Sequence, residues 1–113
     1  MKLQDIAFAD GRVESVRTSL SDAEVVFTDW QNIKWTLTFV GVLAVENANI
    51  EGEEVDRLEV RNDDPYIHSI RLLVDEPNAN VNVYLLFTPW KDTPRLRVVA
   101  TDCKVEHAEG PSP

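Results

Sequence analysis

Apolar and polar residues alternate strictly through Trp35-Thr36-Leu37-Thr38-Phe39, and the apolar phase resumes beyond Gly41 at Leu43 and Val45. A period of two is the repeat of a β-strand, whose successive side chains point to opposite faces, whereas a helical repeat of about 3.6 would scatter these residues around a cylinder. The spacing therefore predicts a long strand with Trp35, Leu37, Phe39, Leu43 and Val45 on its buried face. Val81–Thr88 follows the same rule, with Val81, Val83, Leu85 and Phe87 sharing a face and β-branched and aromatic residues filling it. Shorter strands are expected at Val13–Leu20, Ala23–Thr28, Arg57–Arg61, Ile67–Val74 and Arg95–Val105. Turn-forming residues separate them at Asp10-Gly11, Ser21-Asp22, Asn62-Asp63-Asp64-Pro65 and Glu76-Pro77-Asn78-Ala79-Asn80. No segment carries a sustained helical period, and only Glu51–Leu58 reads as a short helical turn.

Two stretches repeat. Val25-Val26-Phe27-Thr28-Asp29-Trp30 returns 60 residues later as Leu85-Leu86-Phe87-Thr88-Pro89-Trp90, and Val45-Glu46-Asn47-Ala48 returns at the same offset as Val105-Glu106-His107-Ala108. Val13-Glu14-Ser15-Val16-Arg17 is similar to Ile67-His68-Ser69-Ile70-Arg71, with the shorter offset absorbed by the Pro77–Asn80 turn. These matches predict two antiparallel three-strand meanders, 13–48 and 67–108, joined by an acidic connection at 49–66. In the second copy the apolar positions are first Leu96 and Val98, then Val99, Cys103 and Val105, so the phase changes within one strand and a bulge is expected near Val98–Thr101. The expected architecture is all-β: one domain over residues 1–108, of about seven or eight strands, forming a sandwich or flattened barrel. Val25, Phe27, Leu37, Phe39, Leu43, Leu85 and Phe87 are its expected core, and Glu109–Pro113 reads as a disordered tail.

Composition narrows the functional classes. The 113 residues carry 20 Asp and Glu against 11 Lys and Arg, a formal charge of −9, which argues against a face for nucleic acid. Cys103 is the sole cysteine, so no disulfide framework exists within the chain. The longest apolar run, Phe39–Val45, is far below the roughly 20 residues of a membrane-spanning helix, and Gln4 and Asp5 interrupt any apolar leader near Met1. With an unpaired thiol, these features read as a cytoplasmic protein without a membrane partner.

The chemistry-bearing residues point to binding, with no reaction indicated. No Ser-centred nucleophile turn, phosphate-cradling glycine loop or paired-carboxylate motif occurs, so the chain is read as non-enzymatic and without a cofactor. His68, His107 and Cys103 lack the spacing of a zinc site, and Glu51-Gly52-Glu53-Glu54-Val55-Asp56 lacks the ligand alternation of a calcium loop, so no metal is expected. Cys103 is in phase with Val99 and Val105 and reads as a small buried hydrophobe. Residues 46–64 gather eight carboxylates against Arg57 and Arg61. Among them Glu51, Glu53, Glu54, Asp56, Glu59, Asp63 and Asp64 are the candidates for attracting a basic protein partner; otherwise the segment is a solvated connection. Trp30 and Trp90 lie just beyond strand ends at matched places in the two copies. They either close the core or form aromatic platforms for a small ligand or carbohydrate.

Phe27-Thr28-Asp29-Trp30 followed by Leu37-Thr38-Phe39-Val40-Gly41-Val42 resembles a theme of small, acidic, uncharacterised bacterial all-β proteins, some of them similar to toxin-immunity proteins. The resemblance implies action by surface complementarity, as an immunity or inhibitor protein. A third reading is self-association through an exposed strand edge, giving a homodimer.

Overall fold

The period-two segments fold as strands. The computed structural model of the chain describes residues 3–107, in which nine strands and one helix follow a short 3-10 turn at Leu3–Asp5. In chain order they are β1 (Gly11–Thr18), β2 (Asp22–Thr28), β3 (Lys34–Val40), β4 (Ala44–Asn47), β5 (Glu54–Val55), β6 (Arg57–Arg61), α1 (Pro65–Leu73), β7 (Asn82–Phe87), β8 (Leu96–Ala100) and β9 (Asp102–His107). They form two antiparallel sheets, ordered β5-β1-β2-β3-β9 and β4-β8-β7-β6, that face each other as a sandwich and do not close into a barrel. The predicted tail at Glu109–Pro113 lies outside the described residues.

The expected long strand and the expected bulge turn out to be one device. Residues 34–47 pair with residues 96–107 along their whole length: Trp35 to Val40 oppose His107 to Asp102 in one sheet, and Ala44 to Asn47 oppose Val99 to Leu96 in the other. Between these blocks the register slips by one residue, at Gly41 and Thr101, where the Thr101 amide donates to the carbonyls of Val40 and Gly41. Each strand is thus interior in one sheet and an edge in the other. The slip also converts the inward phase from Leu96, Val98 and Ala100 to Cys103 and Val105. Gly41 takes φ +63°, and a Cβ there would lie 2.3 Å from Thr101 Oγ1.

The repeat is real in topology, but its parts are assigned differently from the sequence expectation. Every β7–β8 pair lies 60 residues beyond a β2–β3 pair: Asp22 with Val40 recurs as Asn82 with Ala100, and Val25 with Leu37 recurs as Leu85 with Arg97. The strand equivalent to β1 is β6, because β1 flanks β2 as β6 flanks β7. Residues 67–71 therefore do not correspond to 13–17. The strand expected at Ile67–Val74 is instead α1. The Asp64 side chain caps it by accepting from the Tyr66 amide, Pro65 occupies its first turn, and Ile67 and Ile70, three apart, form its buried stripe. The helical turn expected at Glu51–Leu58 is replaced by β5 and the start of β6, because Val55 and Leu58 must reach the two sheets on either side of Asp56.

The helix explains a second departure. Val25, Phe27, Leu37 and Phe39 fill the space between the sheets together with Tyr84, Leu86, Leu96 and Val98. Leu85 and Phe87 point the other way, into a second cluster with Val83, Val99, Ile67 and Ile70 beneath α1, and Leu43 borders that cluster half-buried. The β4-β8-β7-β6 sheet is therefore covered on both faces, and Tyr84-Leu85-Leu86-Phe87 is buried without interruption.

Two measurements of chemical unfolding check this account. Phe39, fully buried with its ring centroid 5.0 Å from that of Tyr84, is expected to cost about 3–5 kcal/mol when replaced by Ala. Gly41→Ala is expected to cost about 1–3 kcal/mol through its positive φ and the Thr101 clash, and more than Gly52→Ala, whose site has positive φ but open space.

Candidate functional site

The two hairpin turns that carry Trp30 and Trp90 differ in length and in chemistry: residues 29–33 join β2 to β3, whereas the longer segment 88–95 joins β7 to β8. In the first, Asp29 is 6% exposed and its carboxylate accepts from the Gln31 and Ile33 amides at 2.8 and 3.0 Å and from Trp35 Nε1 at 3.0 Å. Burial raises its pKa, but the bonds from Trp35, Ile33 and Gln31 outweigh that and hold it below the ordinary 3.8. Trp35 is thereby locked into the core, as its phase predicted, while Trp30 is left 61% exposed. In the second turn Pro89 stands where Asp29 stood and Arg95 where Trp35 stood, so no such anchor forms. Trp90 is 98% exposed and sits at φ +65°. The other non-glycine residues at positive φ are Asp10, Asn32, Asn49 and Asp75, types that tolerate this region, whereas a bulky aromatic residue does not favour it. Neither tryptophan closes the core.

β2 leads into the first turn and β7 into the second, while β3 and β8 run from the turns toward the Gly41–Thr101 corner. Both tryptophans therefore project from the end of the sandwich opposite that corner. Ile50, fully buried, plugs the core, and its amide is held by the Asn47 side chain. Beside Trp90 lies an open cleft of about 550 Å³ lined by Asp10, Glu54, Val55, Asp56, Arg57, Pro89, Lys91 and Asp92.

The acidic candidates are not a uniform negative field. Arg57 pairs with Asp56 at 3.0 Å and Glu59 at 2.8 Å, Arg61 with Glu59 at 2.6 Å and Asp64 at 3.3 Å, and Arg95 with Glu53 at 3.2 Å. Hydrogen bonds from Arg57 and Arg61 hold the Glu59 carboxyl below its usual range, and the Asn47 amide does the same for Glu51. Asp64 is further committed as the cap of α1. The structure brings Glu54 and Asp56 to the Trp90 cleft and leaves Glu51, Glu53, Glu59, Asp63 and Asp64 out of its lining. Asp10 and Asp92, which sequence reasoning missed, join them there. Their signal was weak: each lies in a turn, far along the chain from 46–64, and only the fold makes them neighbours. Among the described residues, no ion pair engages Asp10, Glu54 or Asp92.

The remaining reactive side chains are structural in placement. Cys103 packs at the border of the main core, and burial, with a smaller contribution from Asp102, pushes its thiol up to about 12, so it is protonated at neutral pH. The His107 ring lies tilted against Trp35 with centroids 5.0 Å apart, and His68 is exposed on α1. Among the described residues no group of three or more His, Cys, Asp or Glu is placed to hold a metal ion, and no helix is long and apolar enough to cross a membrane. No known protein family matches the chain, and no curated protein or solved structure is significantly similar to it.

Asp29 supplies a pH test of this end of the molecule. Its depressed folded pKa means that its stabilisation is fully present above the unfolded value near 3.8 and is lost as pH falls through the lower folded value. Replacing it with Ala orphans buried donors and is expected to cost about 1–3 kcal/mol at pH 7. In urea titrations across pH, the advantage of the wild type over Asp29→Asn is expected to shrink only below about pH 4.

Proposed function

We propose that this chain is a non-enzymatic binding protein, of the immunity or inhibitor type, that engages a basic protein partner at its turn end. The observation that carries the reading is Trp90, a fully exposed aromatic ring held at positive φ, where it contributes nothing to the core. Backbone strain at an exposed position persists when something other than stability selects the residue. Large aromatic rings surrounded by polar groups are the usual anchors of protein interfaces, since they bury much area at little conformational cost.

The chemistry of the partner follows from the cleft. Asp10, Glu54, Asp56 and Asp92 outnumber Arg57 and Lys91 there, and among the described residues no ion pair engages three of the four, Asp10, Glu54 and Asp92. A Lys or Arg side chain laid across Trp90 would gain the ring's negative face and the carboxylates together. The total charge of −9 adds long-range steering toward such a partner. The paired acids Glu53, Glu59 and Asp64 contribute less, because their arginines already neutralise them. The small-ligand or carbohydrate reading uses the same two tryptophans, but the charged cleft beside Trp90 favours a cationic group over a neutral sugar.

The test is affinity capture by the tagged chain, with salt elution and mass spectrometry, repeated with Trp90→Asn and with Glu54→Lys/Asp92→Lys. A stoichiometric basic partner is expected with the wild type, weakened about tenfold or more by either variant. Trp90→Asn is expected to fold at least as stably as the wild type, because Asn tolerates positive φ. A partner captured equally by all three proteins would overturn the proposed site.

A further inference from the structure

The two sheets end in four strands, β5 and β9 in one and β4 and β6 in the other. Most of these borders are blunted. β5 has two residues and β4 four, and beside β6 the N-terminal residues Leu3, Ile6 and Phe8 share a groove with Leu58 and Val60. The part of β1 that extends past β5 begins with a bulge between Val13 and Ser15. Short length, bulges, covering segments and charged edge residues are the devices by which proteins keep strand edges from pairing. Of these, β9 has only charges among the described residues, and they alternate in sign: six residues long and without proline, it runs in unbroken register along β3 from His107 to Asp102.

The side chains of β9 are ordered in a way that matches a second copy of itself. Cys103 and Val105 turn to the core, which leaves Asp102, Lys104 and Glu106 on the outer face beside Val40, Thr38 and Thr36 of β3. This is a minus, plus, minus row, and among the described residues no ion pair engages Lys104 or Glu106. Two copies meeting antiparallel with Lys104 opposite itself would repel. A shift of two residues preserves the faces and puts Lys104 opposite Glu106 of the partner subunit, with Val105 opposite Val105 of the partner subunit at the two-fold axis.

We propose that β9 is a homodimerisation edge, pairing with β9 of a second copy in the register that aligns Lys104 with Glu106. The two five-stranded sheets then continue through the axis as one. The contact is a single strand pair, below the roughly 1,200 Å² of a stable interface, so the association is weak and concentration-dependent. It uses the border opposite β5, leaving the Trp90 cleft open, and does not depend on the function proposed above.

Sedimentation velocity of the full chain over a wide concentration series, in about 0.15 M salt to screen the long-range repulsion of two acidic molecules, tests the proposal. The expected result is a reversible monomer–dimer equilibrium. Lys104→Glu is expected to weaken it about tenfold or more, since both symmetric pairs turn repulsive. Lys104→Glu/Glu106→Lys restores complementarity in the same register and is expected to restore the dimer, with circular dichroism confirming that each variant is folded. A wild type that stays monomeric throughout, a dimer indifferent to Lys104→Glu, or a double variant that fails to recover would each overturn the proposal.

Discussion

The close approach of Gly41 to Thr101 is the constraint on which the rest of the molecule depends. Two strands that pair along their whole length must serve two sheets, and they can do so only if both bend at the same point. The bend requires a residue without a Cβ on one strand, since an added atom at Gly41 would overlap the Thr101 side chain. It also requires a one-residue slip, which rotates the inward phase so that both halves of the ribbon still face the core. Without the slip, either Leu96 and Val98 or Cys103 and Val105 would be turned away from the space between the sheets. The same crossover makes β9 the border of a sheet to which its own preceding strand, β8, does not belong.

Much of this was legible in the sequence because period and parity are directly readable. The alternation at Trp35–Phe39 located β3, and the phase change after Val98 located the corner. The error at Ile67–Val74 has an identifiable cause. A nine-residue helix shows only about two and a half turns of its repeat, and β-branched isoleucines at 67 and 70 suit a strand as well as a helix. The decisive signals are the capping Asp64 and Pro65, a pair that opens a turn as readily as a helix. A second signal lay in Tyr84-Leu85-Leu86-Phe87. Four consecutive apolar residues exceed what a one-sided strand needs, and they imply a further layer, which α1 supplies.

The candidate site was less legible, because charge counts do not reveal pairing. Eight carboxylates between 46 and 64 describe a negative segment, yet Arg57 and Arg61 alternate with Asp56, Glu59 and Asp64 so that their charges interlock across β6 and the start of α1. What remains available is set by tertiary proximity: Asp10 before β1, Glu54 in β5 and Asp92 in the second turn converge only when the sandwich is assembled.

The two hairpins show how one framework serves different ends. Their strands pair in the same register, but the second hairpin opens two pairs earlier, and its turn chemistry differs as well. The first turn spends its polar group inward: Asp29 satisfies two amides and the Trp35 indole, and its exposed ring is accompanied by a buried one. In the second, Pro89 removes that acceptor, and Arg95 replaces the indole and reaches the Ala48 carbonyl instead, at 2.6 Å. The loop is then tied to the crossover that carries Ile50 and Glu53, and Trp90 is released from any structural role. A ring that the core does not require, on a turn anchored beside carboxylates that no ion pair engages among the described residues, distinguishes Trp90 from Trp30 even though the sequence presents them as equivalents.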